Sequence, residues 1–174
     1  LQDLLSRNTS DLADAGVLFP DRLHPGDAAF FHFQAALDLL GQDWGGPPGH
    51  AERAWPAMVR KVQRGAGAVV ISHEILANAR NRHIARLRSD LDEAEVHVVY
   101  TARDLARQLP AAWQESIKQG RTWSYARFLA RARGNKTWFM KAFDLPRVLG
   151  RWSVDLPPEH VHVITVPQAG APKD

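Results

Sequence analysis

Two pairs of adjacent residues bring reactive side chains to the ends of apolar runs. His73-Glu74 follows Ala68-Val-Val-Ile-Ser72, and Arg103-Asp104 follows Glu95-Val-His-Val-Val-Tyr-Thr-Ala102. His and Glu are both competent general bases, and an open α/β sheet keeps ligand-facing groups at the carboxyl ends of its strands. Neighbouring residues on a strand point to opposite sides, so one of the pair faces any site there. The alternative is purely local: Glu74 caps or ion-pairs while His73 packs. Arg103 offers a planar fork of donors that suits phosphate and stays charged near pH 7. It stands where a long helix, ending near Gln119, begins, a position that favours an anion. Asp104 complements the dipole of that helix and can equally hold Arg103 or Arg107 in a structural pair.

Other chemistries are narrower. Of the eight histidines, His160 and His162 stand two apart on one predicted strand and His97 lies in another. The three meet if those strands are neighbours, but no carboxylate pattern accompanies them and no metal is expected. The absence of cysteine removes disulfides, zinc–thiolate sites and thiol nucleophiles. Gly65-Ala-Gly67 precedes a strand rather than following one, so it reads as a turn and not as a dinucleotide fingerprint. No Ser or Thr occupies a nucleophile elbow. Trp113, Trp123, Trp138 and Trp152 can either stack on bases or fill a core.

Alternating helices and strands must position these groups. Helical spacing runs from Leu1 to about Ala15, Gly16 ends it, and a short Val17-Leu18-Phe19 run stops at Pro20. Asp27 is a candidate N-cap for a helix over 28–40, with Phe30, Phe33, Leu37 and Leu40 on one face. The Gly- and Pro-rich stretch 42–50 predicts a mobile loop. Helices are expected over 54–64, 81–91, from 103 to about 119, from Thr122 or Ser124 to 133, and unbroken over 137–152. Strands are expected over 68–72, 96–101 and 161–166. Strands separated by helices imply parallel crossovers in a doubly wound sheet.

At 174 residues the chain suits one domain with a sizeable core, and 45% hydrophobic with 24% charged residues is an ordinary globular balance. No apolar run reaches the ~20 residues that span a bilayer and no signal peptide is visible, so a cytoplasmic location is expected. Net charge is +3. Between Tyr100 and Arg151, however, eleven Lys/Arg face three acidic residues, a local +8, and the remainder carries eleven against sixteen, or −5. That asymmetry suggests a face for a phosphorylated cofactor, an acidic substrate or nucleic acid; ordinary solvated helix faces are the alternative.

Taken in order, Val70-Ile-Ser-His-Glu-Ile-Leu76, Glu95 through Gln114, Asp144-Leu-Pro-Arg-Val-Leu-Gly-Arg-Trp152 and Val161-His-Val-Ile-Thr-Val-Pro167 resemble the actinobacterial branch of the sulfotransferase family. The resemblance implies a P-loop-like, doubly wound, mainly parallel sheet flanked by helices, spanning 1–174 as one domain truncated at both ends. It implies 3′-phosphoadenylyl sulfate (PAPS) as sulfuryl donor, with Arg103 on the donor's 3′-phosphate. The family usually places a Ser eight residues after that Arg; here Ala111 stands there, leaving Arg107 or Gln108 to complete the clamp. Glu74 would be the general base, with His73 as its substitute, taking a proton from a hydroxyl or amine of an unidentified small-molecule acceptor. The family's phosphosulfate-binding loop would lie upstream of Leu1 and a late cofactor loop beyond Asp174. The polypeptide alone is therefore expected to be catalytically incompetent. Leu23 to His50 is the expected acceptor wall. A degenerate relative that binds an anionic ligand or partner without turnover is the alternative; a nucleic-acid module ranks below both, since no recognition motif is present.

Overall fold

Among the described residues, short helices and four short strands follow the predicted alternation, but the strands form two sheets rather than one. The computed structural model describes residues 1–24, 30–134 and 137–167, with 138–140 by their backbone alone. The chain is α/β and divides into two units, Leu1–Val96 and His97–Asp174. Among the described residues no helix is long and apolar enough to cross a membrane.

In the first unit, α1 (Gln2–Arg7) and α2 (Thr9–Asp14) replace the single predicted helix, the chain bending at Asn8 (φ −112°, ψ 25°). Gly16 then turns with φ 75° into β1 (Val17–Leu18). α3 (Phe31–Leu40), α4 (Ala54–Arg64) and α5 (Asn81–Asp90) pack with a 3-10 turn over Glu74–Asn78. Seven of the ten residues of α3 are buried, because it is covered by α4, α5 and the 3-10 turn together. Of the predicted face, Leu37 and Leu40 are buried, whereas Phe30 is the N-cap and 64% exposed and Phe33 is half-buried; Phe31, Ala35 and Leu39 complete the buried side. The candidate cap Asp27 lies outside the described residues. The 42–50 stretch has no regular structure but is internally tied: Gly49 N–H donates to Asp43 Oδ1 (2.9 Å), and His50 Nδ1 lies 2.9 Å from the Pro47 carbonyl.

β2 is only Ala68–Val69, parallel to β1 in the register Val17↔Ala68, Leu18↔Val69. The approach is tight: a Cβ on Gly67 (φ 126°) would stand 2.5 Å from the Gly16 carbonyl oxygen, so only glycine fits. Past Val69, Val70 N–H still donates to the Leu18 carbonyl (2.9 Å), and it is at Ser72 that the polar groups turn to side chains. Ser72 N–H donates to His32 Nδ1 (3.3 Å), and the Ser72 carbonyl accepts from Gln2 Nε2 (3.0 Å). Once those groups are satisfied sideways, no ladder is needed there.

In the second unit, β3 (Val98–Ala102) runs parallel to β4 (Val161–Thr165) in unbroken register from Val98↔Val161 to Ala102↔Thr165. α6 (Leu105–Lys118) and α7 (Tyr125–Arg133) enclose Ala112, Phe128 and Ala132, with Trp113 and Trp123 packed beside them. Ser124, not Thr122, caps α7, accepting from Arg127 N–H (3.3 Å). The predicted 137–152 helix is two, α8 (Trp138–Phe143) and α9 (Leu145–Trp152). Pro146 is the reason. It has no N–H for the Ala142 carbonyl four residues back; that carbonyl instead accepts from the Tyr100 hydroxyl (3.2 Å).

Candidate functional site

Arg103 follows the last residue of β3, and the chain then turns into α6 at Asp104. The carboxylate of Asp104 is occupied twice. Its Oδ1 accepts from Arg107 N–H (3.0 Å), which caps α6, and its Oδ2 lies 3.3 Å from Arg107 Nε. The question of which arginine Asp104 holds is thus answered: it holds Arg107. Arg103 is exposed and makes no ion pair or hydrogen bond among the described residues. Its neighbourhood is a cleft of about 510 Å³ to which Gln108, Arg133, Thr101 and Asp144 also contribute. Two guanidinium groups and a carboxamide outnumber the one carboxylate, and Asp144 is itself engaged as N-cap of α9, accepting from Arg147 N–H (3.3 Å). Tyr100 forms part of the wall; burial, then the nearby Asp144 charge, pushes its phenol above its ordinary range, so it stays a neutral donor.

In the first unit, His73 and Glu74 separate into different roles. His73 is the N-cap of the 3-10 turn, its Nδ1 accepting from Ile75 N–H (3.3 Å), and its ring packs on Phe33 (centroids 5.0 Å). Burial lowers its pKa while the Glu74 carboxylate, 3.7 Å away, opposes this. A neutral imidazole whose Nδ1 is accepting carries its proton on Nε2 and has no free basic nitrogen. Glu74 keeps a 62% exposed side chain and accepts one hydrogen bond, from Gln2 Nε2 (3.2 Å). As a proton acceptor for an incoming group, the carboxylate is the accessible one.

Neither a protein-family model, a curated protein nor a solved structure matches this chain.

The five sequence-derived site residues therefore sort by unit. Arg103 and Gln108 share the cleft; Arg107 is turned to Asp104; His73 and Glu74 belong to the other unit. Reading the sequence missed Arg133, which reaches the cleft from the end of α7, and Gln2 and His32, which hold Ser72. His32 was masked by its setting between Phe31 and Phe33, which reads as an apolar face. Trp113 donates its indole N–H to the Trp123 carbonyl (2.8 Å), and Arg131 stacks over Trp123 (4.5 Å), so these two tryptophans are engaged within the fold.

His32 is 6% exposed and stacked on Phe19 at 4.2 Å. Burial, reinforced by His73 and opposed by Asp21, lowers its pKa from 6.5 to about 4. Between those values the unfolded chain binds a proton that the folded chain refuses. The contribution of His32 is thus intact above pH 6.5 and lost as pH falls towards 4, a span equivalent to about 3 kcal/mol. Urea unfolding at pH 7 and pH 4.5 is expected to show this acid loss, with His73 adding in the same sense. In His32→Gln, whose side-chain oxygen can still accept from Ser72, the pH dependence should flatten; an unchanged slope would remove His32 as its source.

Proposed function

We propose that the chain is a sulfotransferase-like α/β domain of P-loop-like kind, in which the Arg103 cleft takes the 3′-phosphate of PAPS and Glu74 accepts the acceptor's proton. The observation that carries this reading is the state of Arg103: a guanidinium uncommitted among the described residues, at the carboxyl end of a parallel strand and beside the amino end of a 14-residue helix, while the adjacent carboxylate is spent on Arg107. A phosphate there meets charge, a planar donor fork and a helix terminus together. Gln108 and Arg133 supply the donors that Ala111 lacks. Sulfuryl transfer, like phosphoryl transfer, needs little covalent help from the protein; it needs alignment and cations on the moving oxygens. In proteins of the family that the sequence resembles, those for the sulfuryl group itself come from a phosphosulfate-binding loop.

The direct test is calorimetry with adenosine 3′,5′-bisphosphate against adenosine 5′-monophosphate, which differs by the 3′-phosphate alone. Tighter binding of the bisphosphate supports the reading, and equal affinity removes it. The roles are separable. In a protein carrying the upstream loop, Glu74→Gln should leave bisphosphate affinity unchanged and reduce turnover by about 10²–10⁴-fold, the range for losing a general base. A second reading, an anion binder without turnover, is favoured by Ala111, which puts a methyl group where the family carries a hydroxyl. Discriminating binding with no sulfuryl transfer by the loop-bearing protein would select it.

A further inference from the structure

The pairing of β3 with β4 has a second result, at the opposite end of the strands from Arg103. One step before the registered pair Val98↔Val161 stand His97 and His160, and His162 is in register with Val99. Parallel strands in register present partners to the same face, and alternation returns to it every second residue. His97 and His162 therefore share one face, and His160, the last residue of the 3-10 turn that leads into β4, joins them through its ring. Their rings are close: His97 and His160 lie 4.2 Å apart between centroids, His97 and His162 5.3 Å. Nδ1 of His97 is 3.0 Å from Nε2 of His162, and ring nitrogens of His97 and His160 lie within 4.8 Å of one another.

We propose that His97, His160 and His162 bind a late first-row divalent cation, with Zn²⁺ as the probe. Nitrogens ~2.0–2.1 Å from one zinc ion stand about 2.9 Å apart at a right angle and about 3.4 Å apart at the tetrahedral angle. The 3.0 Å separation in the His97–His162 pair falls in that interval. Imidazole is the donor that suits zinc, copper and nickel, and a chain without cysteine offers no thiolate to compete. Nδ1 of His97 and Nε2 of His162 already face one another across that gap, so a cation entering between them meets two converging nitrogens. All three residues are exposed or half-buried, open to an entering ion. Six residues of strand at ~3.3 Å each put this site about 20 Å from Arg103. It would act as a clip holding β3 to β4, not as part of the cleft.

Zinc titration by calorimetry at pH 7.5 is expected to give one ion per chain. His97→Gln and His162→Gln should each weaken binding at least tenfold, since loss of even an outer-shell partner costs 10–100-fold. Zinc should raise the melting midpoint of the parent protein and leave that of the double variant unmoved. Should either variant fail to fold, Co²⁺ added to the parent supplies an independent readout: ring-proton resonances of three of the eight histidines shift, and they assign to 97, 160 and 162. Undiminished zinc binding in the folded double variant, a different set of shifted histidines, or no binding at millimolar zinc would each overturn the proposal.

Discussion

Arg103→Ala is expected to lower affinity for adenosine 3′,5′-bisphosphate by about 10- to 150-fold, the equivalent of the ~1.5–3 kcal/mol that hydrogen bonding to a charged group contributes. Affinity for adenosine 5′-monophosphate should hardly change. The effect is large because, among the described residues, Arg103 has no hydrogen-bond or ion-pair partner to compete with the ligand. Arg103→Lys should recover part of the loss, since it keeps the charge without the planar fork. Arg107→Ala is the informative control. Its guanidinium is tied to Asp104, so removing it should cost at most ~1 kcal/mol of stability and leave bisphosphate binding intact. Equal losses in the two variants would show that bulk positive charge, not the Arg103 position, draws the ligand.

Trp55→Ala should destabilise the protein by about 3–5 kcal/mol, the range for truncating a large aromatic in a packed core. Trp55 is 1% exposed, and its indole N–H donates to Asp90 Oδ2 at 2.7 Å. Its own backbone N–H donates to Asp38 Oδ2 (2.8 Å). One residue of α4 thus joins α3 through its main chain and α5 through its side chain. Truncation opens a cavity and also removes a donor from Asp90, leaving it with Arg86 at 3.5 Å among the described residues. Set against a usual total of 5–15 kcal/mol, this consumes a large part of the stability. Trp55→Phe keeps most of the packing and loses the hydrogen bond, so it should cost about 1–2 kcal/mol. Urea unfolding followed by circular dichroism measures both; a Trp55→Ala loss under 1 kcal/mol would mean that the site collapses to fill the space.

The parts of this fold that were legible in the sequence are those governed locally. The 54–64 helix is found at its predicted bounds, and the 81–91 helix ends one residue early. Ser124 and Asp104 cap as short polar side chains before helical runs should. Pairing between strands is not local. An apolar run such as 68–72 can join a ladder or be satisfied sideways, and Gln2 and His32, 70 and 40 residues away from Ser72, decide the matter. The same holds for the candidate sites. Arg103 at a strand end could be read directly, whereas Arg133 reaches the cleft only through the packing of α7 on α6. The meeting of His97 with His160 and His162 depended on two strands being neighbours, a condition that periodicity cannot supply. The break at Asp144 was different: Pro146 announces it, but the strong helical spacing on either side concealed the signal.

That break makes the cleft sensitive to a residue with nothing to donate. Pro146 contributes to the wall, and its missing N–H is what leaves the Ala142 carbonyl to Tyr100. Strand and helix junction are thereby latched through one phenol. Give position 146 an N–H, and the Ala142 carbonyl acquires a rival donor four residues on; the Tyr100 hydroxyl is then released and the cleft wall loses an anchor. The shape of an anion pocket here is set in part by an imino acid that can neither bind an anion nor repel one.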